Sequence, residues 1–170
     1  LPIDPGQPDG PRGCLFVAVR GEGVLMRGLA DPVERPVTVS RETDLSRASI
    51  CESVESGHSS HDHAAAIAER LGVKGRPVRM DSQCKYAAVA RGEASIYLRL
   101  PTRADYEEKI WDHAAGWMVI TEAGGQVTDV CGRPLDFSVG RTLRNNKGVV
   151  ATNSRLHGPV VAAAREVLGV

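Results

Sequence analysis

What this chain has little of narrows it first. Aromatic residues make up only 4% of the sequence, the one departure from ordinary globular composition. The two tryptophans, Trp111 and Trp117, are read as core rather than as a base-stacking platform. Neither sign of charge is in excess: Lys plus Arg and Asp plus Glu stand at 21 each, so there is no overall basic field for a nucleic-acid polymer. The longest apolar runs, Leu15 to Val19 and Val160 to Ala164, are too short to span a bilayer, and no membrane partner is expected. The four cysteines at 14, 51, 84 and 131 show no C-x-x-C pairing and no zinc-like spacing, which excludes a disulfide framework and a structural zinc. Reduced thiols and a cytoplasmic location are the expectation. An initiator Met and a signal-peptide pattern are also lacking, and the chain reads as a piece of something longer.

What is there is enough for a sizeable core: 170 residues, 42% of them hydrophobic and 25% charged. Residues 1 to 13 alternate Pro and Gly without periodicity and read as a mobile loop. Cys14 to Arg20 and Val24 to Leu29 flank Gly21-Glu-Gly23 and predict a β-hairpin, marginal alone and in need of a sheet. Pro36 to Val39 is a candidate edge strand, and the domain boundary falls near here, with 1–40 and 41–170 as the two parts. Strands predicted at 49–54, 77–80, 94–100, 126–130 and 149–152 alternate with helices capped by Asp62, by Asp81-Ser82 and by Asp112, and with a last helix over 159–168. That order is the pattern of an α/β layer with a mostly parallel sheet flanked by helices.

The stretch from Ile110 to Gly125 organises the functional reading. Asp112 sits at an N-cap position, with a helix predicted from about His113 to Ala123 and Gly124-Gly125 as its stop. A carboxylate there can satisfy free backbone N–H groups or hold a cation beside a phosphate, and spacing does not separate the two. Ser82 begins a helix after a strand and Lys85 lies one turn along, either as a phosphate-binding pair or as a cap and a solvated lysine. Arg99 ends an apolar strand in which Tyr97 and Arg99 share one face and Ile96, Leu98 and Leu100 the other. Its guanidinium needs an anion, either a ligand or a carboxylate such as Asp105 or Glu108. His58, His61 and His63 with Asp62 do not make a convincing metal set. Glu122, Asp129 and Asp136 are read as structural.

The motifs W-D-x-A-A-G and E-A-G-G-x-x-T-D resemble the C-terminal signature of the inositol monophosphatase superfamily. With them stand H-S-S-H-D (58–62), D-S-Q-C-K-Y (81–86), Y-L-R-L-P (97–101), Y-E-E-K-I-W-D-H-A-A-G (106–116) and P-L-D-F-x-x-G-R-T-L (134–143). Together they are similar to its 3'(2'),5'-bisphosphate nucleotidase branch, over roughly Val54 to the C-terminus. The resemblance implies the C-terminal part of a layered α/β/α/β/α sandwich, preceded by a hairpin left from an N-terminal α+β domain. It implies a Mg2+-dependent, lithium- and sodium-sensitive phosphatase that takes the 3'-phosphate from adenosine 3',5'-bisphosphate, acts also on its sulfated relative, and serves sulfate assimilation. It assigns substrate contacts to His58, Ser82, Lys85, Arg99 and Asp112, and a metal ligand to Asp112. The superfamily's D-P-[IL]-D-G-T motif, with most metal ligands and the water-activating Thr, does not occur here, so no catalytic residue is expected in this chain. An N-terminal half is expected as partner, and the chain alone is expected to be inactive. The competing readings are an inositol phosphate phosphatase of the same superfamily and a non-catalytic nucleotide-binding half.

Overall fold

The computed structural model describes residues 1–55, 57, 59–103 and 105–170, stacked as sheet, helices, sheet, helices. The outer sheet is antiparallel, in the order β1 (Cys14–Val19), β2 (Gly23–Gly28) and β3 (Arg35–Pro36). The hairpin lies within a residue of its predicted place, and the edge strand falls one residue before it. Alternation along β1 turns Phe16 and Ala18 onto the core and leaves Leu15, Val17 and Val19 exposed.

The second sheet runs β5 (Val78–Arg79), β4 (Ile50–Glu52), β6 (Ile96–Arg99), β8 (Val149–Thr152) and β7 (Gln126–Thr128). Strands β5, β4, β6 and β7 point one way and β8 the other, because β8 pairs antiparallel with both of its neighbours. One face carries α2 (Cys84–Ala90) against α3 (Ile110–Glu122), and the other carries α1 (His61–Arg70) against α4 (His157–Leu168). Strand alternation sorts the two cores. Cys51, Tyr97, Val149 and Ala151 face α2 and α3, while Ile50, Ile96, Leu98 and Val150 meet Ile67, Val160 and Ala164. Burial pushes the Cys51 thiol up to about 12, so it behaves as a small apolar filler.

Several local expectations are corrected. Ser60, not Asp62, caps α1, its Oγ accepting from the His63 N–H at 3.4 Å, while Asp62 stands in the first turn. Residues 1–13 are irregular but tied down: the Ile3 N–H donates to Pro11 O at 2.8 Å and Arg91 Nη1 to Pro2 O at 2.7 Å. Trp111 is 53% exposed rather than core, with the Arg141 guanidinium 5.4 Å over its ring, while Trp117 packs on Phe137. The three carboxylates read as structural each have a local task. Glu122 Oε2 accepts from the N–H groups of Gly21 (2.9 Å) and Gly23 (3.2 Å), fastening the β1–β2 turn to the end of α3. Asp129 and Asp136 accept from backbone N–H groups of the turns that follow them. No helix among the described residues is long and apolar enough to cross a membrane.

Two buried contacts set measurable limits on stability. A β-carbon on Gly116 would fall inside the Tyr86 ring, and that ring is buried with its hydroxyl bonded 2.7 Å from His113 Nδ1. Gly116→Ala should therefore cost roughly 2 kcal/mol or more in urea unfolding. Gly158→Ala, where a β-carbon meets nothing within 4 Å, should be neutral or slightly stabilising. His157 bonds Thr128 Oγ1 at 2.9 Å and Thr152 Oγ1 at 3.0 Å, and burial lowers its pKa to about 4. Between pH 6.5 and about 4 the unfolded chain binds the extra proton and the folded chain does not. Stability from this group is full above pH 6.5 and falls by up to about 3 kcal/mol by pH 4, at ~1.4 kcal/mol per unit. Chemical denaturation across that range checks it, and His157→Gln should flatten the slope.

Candidate active site

Parallel strands β4, β6 and β5 end on the same edge, and the starts of α2 and α3 lie beside it. In open α/β sheets this is where ligands collect. A cavity of about 460 Å3 opens there, lined by Ser53, Ser82, Gln83, Lys85, Tyr97, Arg99, Tyr106, Asp112 and His113. Four of the five residues singled out from the sequence, Ser82, Lys85, Arg99 and Asp112, therefore stand around one space, although they come from three segments. His58, the fifth, lies outside the described residues. A neighbouring cavity of about 360 Å3 across Ser82 and Gln83 has Phe16, Cys84, Tyr86, Ala115 and Val119 in its walls and no charged side chain, so it offers nothing to a phosphate.

Helix α3 begins at Ile110 with Lys109 as N-cap, three residues earlier than predicted. The reason is tertiary: segment 108–110 is zipped to 141–143, with Ile110 N–H donating to Arg141 O (3.2 Å) and Leu143 N–H to Glu108 O (2.8 Å). Asp112 consequently sits inside the first turn and does not cap. Its exposed carboxylate takes no hydrogen bond or ion pair among the described residues, and the positive end of the helix favours its charge. Of the two roles open from spacing, the cap is removed.

Helix α2 is likewise shorter than predicted, starting at Cys84 with Gln83 as its N-cap. Ser82 precedes it with φ 57°, a left-handed conformation that turns the chain out of β5, and it is not the cap. Gln83 spends its side chain on α3: Oε1 accepts from Gly116 N–H at 2.7 Å and Nε2 donates to Trp111 O at 3.1 Å. Lys85 is buried rather than solvated, its Nζ donating to Met80 O at 3.1 Å and lying 5.5 Å over the Tyr97 ring. Burial lowers its pKa, since no carboxylate pairs with it.

Arg99 takes the carboxylate that the strand pattern proposed as one alternative, its Nε lying 2.9 Å from Glu108 Oε1. Burial works against the charges on both; the Glu108 carboxylate outweighs it at Arg99, whose pKa is raised, and hydrogen bonds from His113 and then Arg99 outweigh it at Glu108, whose pKa is lowered. Asp105 instead pairs with Arg103 at 3.8 Å on the surface. Glu108 Oε2 meets His113 Nε2 at 3.1 Å, and His113 Nδ1 meets the Tyr86 hydroxyl. Sequence reading gave His113 no role. The signal for it was the stripe His113, Gly116, Ile120, which marks the buried face of α3 and places an imidazole where it must find partners.

Asp112 is the one acidic residue of the cavity wall, and among the described residues no group of three or more His, Cys, Asp or Glu is gathered for a metal. The donor fits a hard divalent cation in kind, a carboxylate without an internal partner, but one ligand does not make a site. His61 is committed to Ser53 O at 3.0 Å, and His63 Nδ1 is buried with no partner, away from this cavity.

Relatives include the 3'(2'),5'-bisphosphate nucleotidase of Emericella nidulans, 48% identical over 159 residues, which cover 92% of this chain and 45% of that protein. The protein of the same name from Schizosaccharomyces pombe is 45% identical, over 98% of this chain and 48% of its own length. The chain thus spans about half the length of these relatives. Among solved structures, an inositol monophosphatase from Anabaena superposes with a TM-score of 0.66 at 23% identity, covering 90% of this chain and 57% of that one. The suppressor protein suhB from Bartonella henselae gives 0.66 at 24%, over 90% and 53%. With the model of the inositol monophosphatase family matching residues 6–168, nearly the whole sequence, this chain belongs to that family.

Proposed function

We propose that the chain forms the nucleotide-facing wall of a phosphatase that removes the 3'-phosphate of adenosine 3',5'-bisphosphate, giving AMP and phosphate. The observation that carries this reading is the convergence of Lys85, Arg99 and Ser82 with the unpaired Asp112 in one cavity of about 460 Å3, a volume suited to a nucleotide. A buried lysine and a partly buried arginine fork supply the fixed positive charge that a phosphate group of the ligand needs. On this reading the β1–β3 sheet belongs to a first domain and residues 41–170 to the second. The nucleotide-specific name borne by relatives 45–48% identical favours it over an inositol phosphate substrate.

Asp112 would hold a Mg2+ ion by one carboxylate oxygen, with the remaining ligands coming from outside the described residues. When bound, that ion supplies an activated water and neutralises phosphoryl oxygens. The work of this chain's own residues is to bind and orient: Lys85 and Arg99 hold the phosphate that is kept, and Ser82 contributes a hydroxyl at the rim.

Isothermal titration of the 170-residue chain with AMP should show binding that weakens roughly tenfold or more in Lys85→Met and in Arg99→Met, as expected for loss of a charged hydrogen bond. Unchanged affinity in both would remove the reading. In a protein extended to the length of its relatives, Asp112→Asn should cut phosphate release from adenosine 3',5'-bisphosphate by about a hundredfold or more. Faster release from inositol 1-phosphate than from the nucleotide would favour the alternative substrate class.

A further inference from the structure

We infer that Glu108 and His113 are positioning residues: with Tyr86 they form a buried relay, Tyr86–His113–Glu108–Arg99, that fixes the Arg99 guanidinium so that its terminal nitrogens serve the anion in the cavity. The inference rests on the proposed phosphate-binding role of Arg99 and adds to it residues that do not themselves hold the ligand's phosphate.

The proton positions follow from the chemistry of the four groups. Arg99 Nε–H donates to Glu108 Oε1 at 2.9 Å, and an ionised carboxylate has no proton to give, so at the other oxygen His113 Nε2 must be the donor, at 3.1 Å. His113 Nδ1 is then a lone pair that accepts from the Tyr86 O–H at 2.7 Å. Burial holds the tyrosine pKa well above its ordinary value, so the hydroxyl keeps its proton. A neutral imidazole of a single tautomer satisfies every group in the line.

Its geometry points outward. Tyr86, His113 and Glu108 are 2%, 2% and 4% exposed, and Arg99, the least buried member of the relay, lines the cavity beside His113. With Nε committed, the guanidinium plane is set from behind, and no side-chain or backbone acceptor among the described residues takes a hydrogen bond from Nη1 or Nη2. The Tyr106 ring, 5.9 Å from the guanidinium carbon, flanks it. The inner end is equally constrained. Tyr86 stacks edge-on against Tyr97 with centroids 5.0 Å apart, and it occupies the space that Gly116 vacates. The His and the Gly of W-D-H-A-A-G thereby acquire a shared task, one as relay member and the other as the gap for its anchor.

A double-mutant cycle tests this in the 170-residue chain, with AMP as the titrant and thermal unfolding as the check on folding. Glu108→Gln keeps the shape but places an amide between Arg99 and His113. It should weaken AMP binding roughly tenfold, and it should cost almost nothing further in the Arg99→Met background, because the glutamate acts through the arginine. An equal loss in both backgrounds, or full affinity in Glu108→Gln while Arg99→Met loses it, overturns the inference and leaves the functional reading intact. No AMP binding by the unmodified chain removes that reading and this inference with it. Should Glu108→Gln not fold, nitrogen-15 NMR of the unmodified chain decides: a protonated Nε2 with an unprotonated Nδ1 on His113 is expected, and the opposite tautomer overturns the relay.

Discussion

The close seating of α2 against α3 is the constraint from which the cavity follows. Two helices approach this closely only where one offers no side chain, and Gly116 is that place: the Tyr86 ring lies where its β-carbon would be. The Gln83 amide then joins the helices, bonding the carbonyl of Trp111 and the N–H of Gly116 on either side of the turn that carries Asp112. Because both helices begin at the same sheet edge, this clamp decides where Ser82, Lys85 and Asp112 stand relative to one another. The outer sheet is held to the far end of α3 by Glu122, so α3 is braced at both ends.

Around that frame the charges are unequal in their freedom. Glu108 is spent on Arg99 and His113, and Asp129 on its own turn and Arg133. Among the described residues Lys85, by contrast, has a carbonyl and the face of Tyr97 for company but no carboxylate within ion-pair distance, and the Asp112 carboxylate takes no hydrogen bond or ion pair. A buried ammonium without a counter-ion is costly, and its lowered pKa is the sign of that cost. Such a group is better explained by an absent anion than by fold stability, since a methionine would fill the same space without the penalty.

Much of this was legible in the sequence. The order of strands and helices, the fully buried β8 at 149–152, and the two faces of β6 all follow from period-two and helical spacing. The four cavity residues were singled out by the family resemblance of the motifs that carry them, since spacing alone left each with a structural alternative. Helix starts were not legible, for a physical reason. Asp112, Ser82 and Asp62 each look like caps locally, yet two of the real starts are fixed by long-range contacts, the 108–110 pairing with 141–143 and the Gln83 clamp, and the third by a competing local cap, Ser60. A cap preference is worth about 1 kcal/mol, and tertiary hydrogen bonds override it. The exposure of Trp111 was missed likewise, since an earlier helix start places its ring outside.

A TM-score of 0.66 at 23–24% identity to inositol monophosphatase structures reports the shared fold alone, and a fold does not fix a substrate. On the proposed reading, the distinction is sought in side chains at the common edge. A monoester with one phosphate would place its charge on a cation held by Asp112 and would require little positive charge elsewhere in the wall. Lys85 adds a buried cation to that wall, and Arg99 a partly buried one that is held from behind by Glu108 and has its terminal nitrogens left to offer. Positive charge held so deep is expensive unless a second anionic group fills it, and a bisphosphate has one to offer where a monophosphate does not. On the proposed reading, selectivity between these substrates would come from the penalty of leaving Lys85 and the terminal nitrogens of Arg99 unmet rather than from added attraction, the same asymmetry that makes an unmet buried polar group cost more than a met one gains.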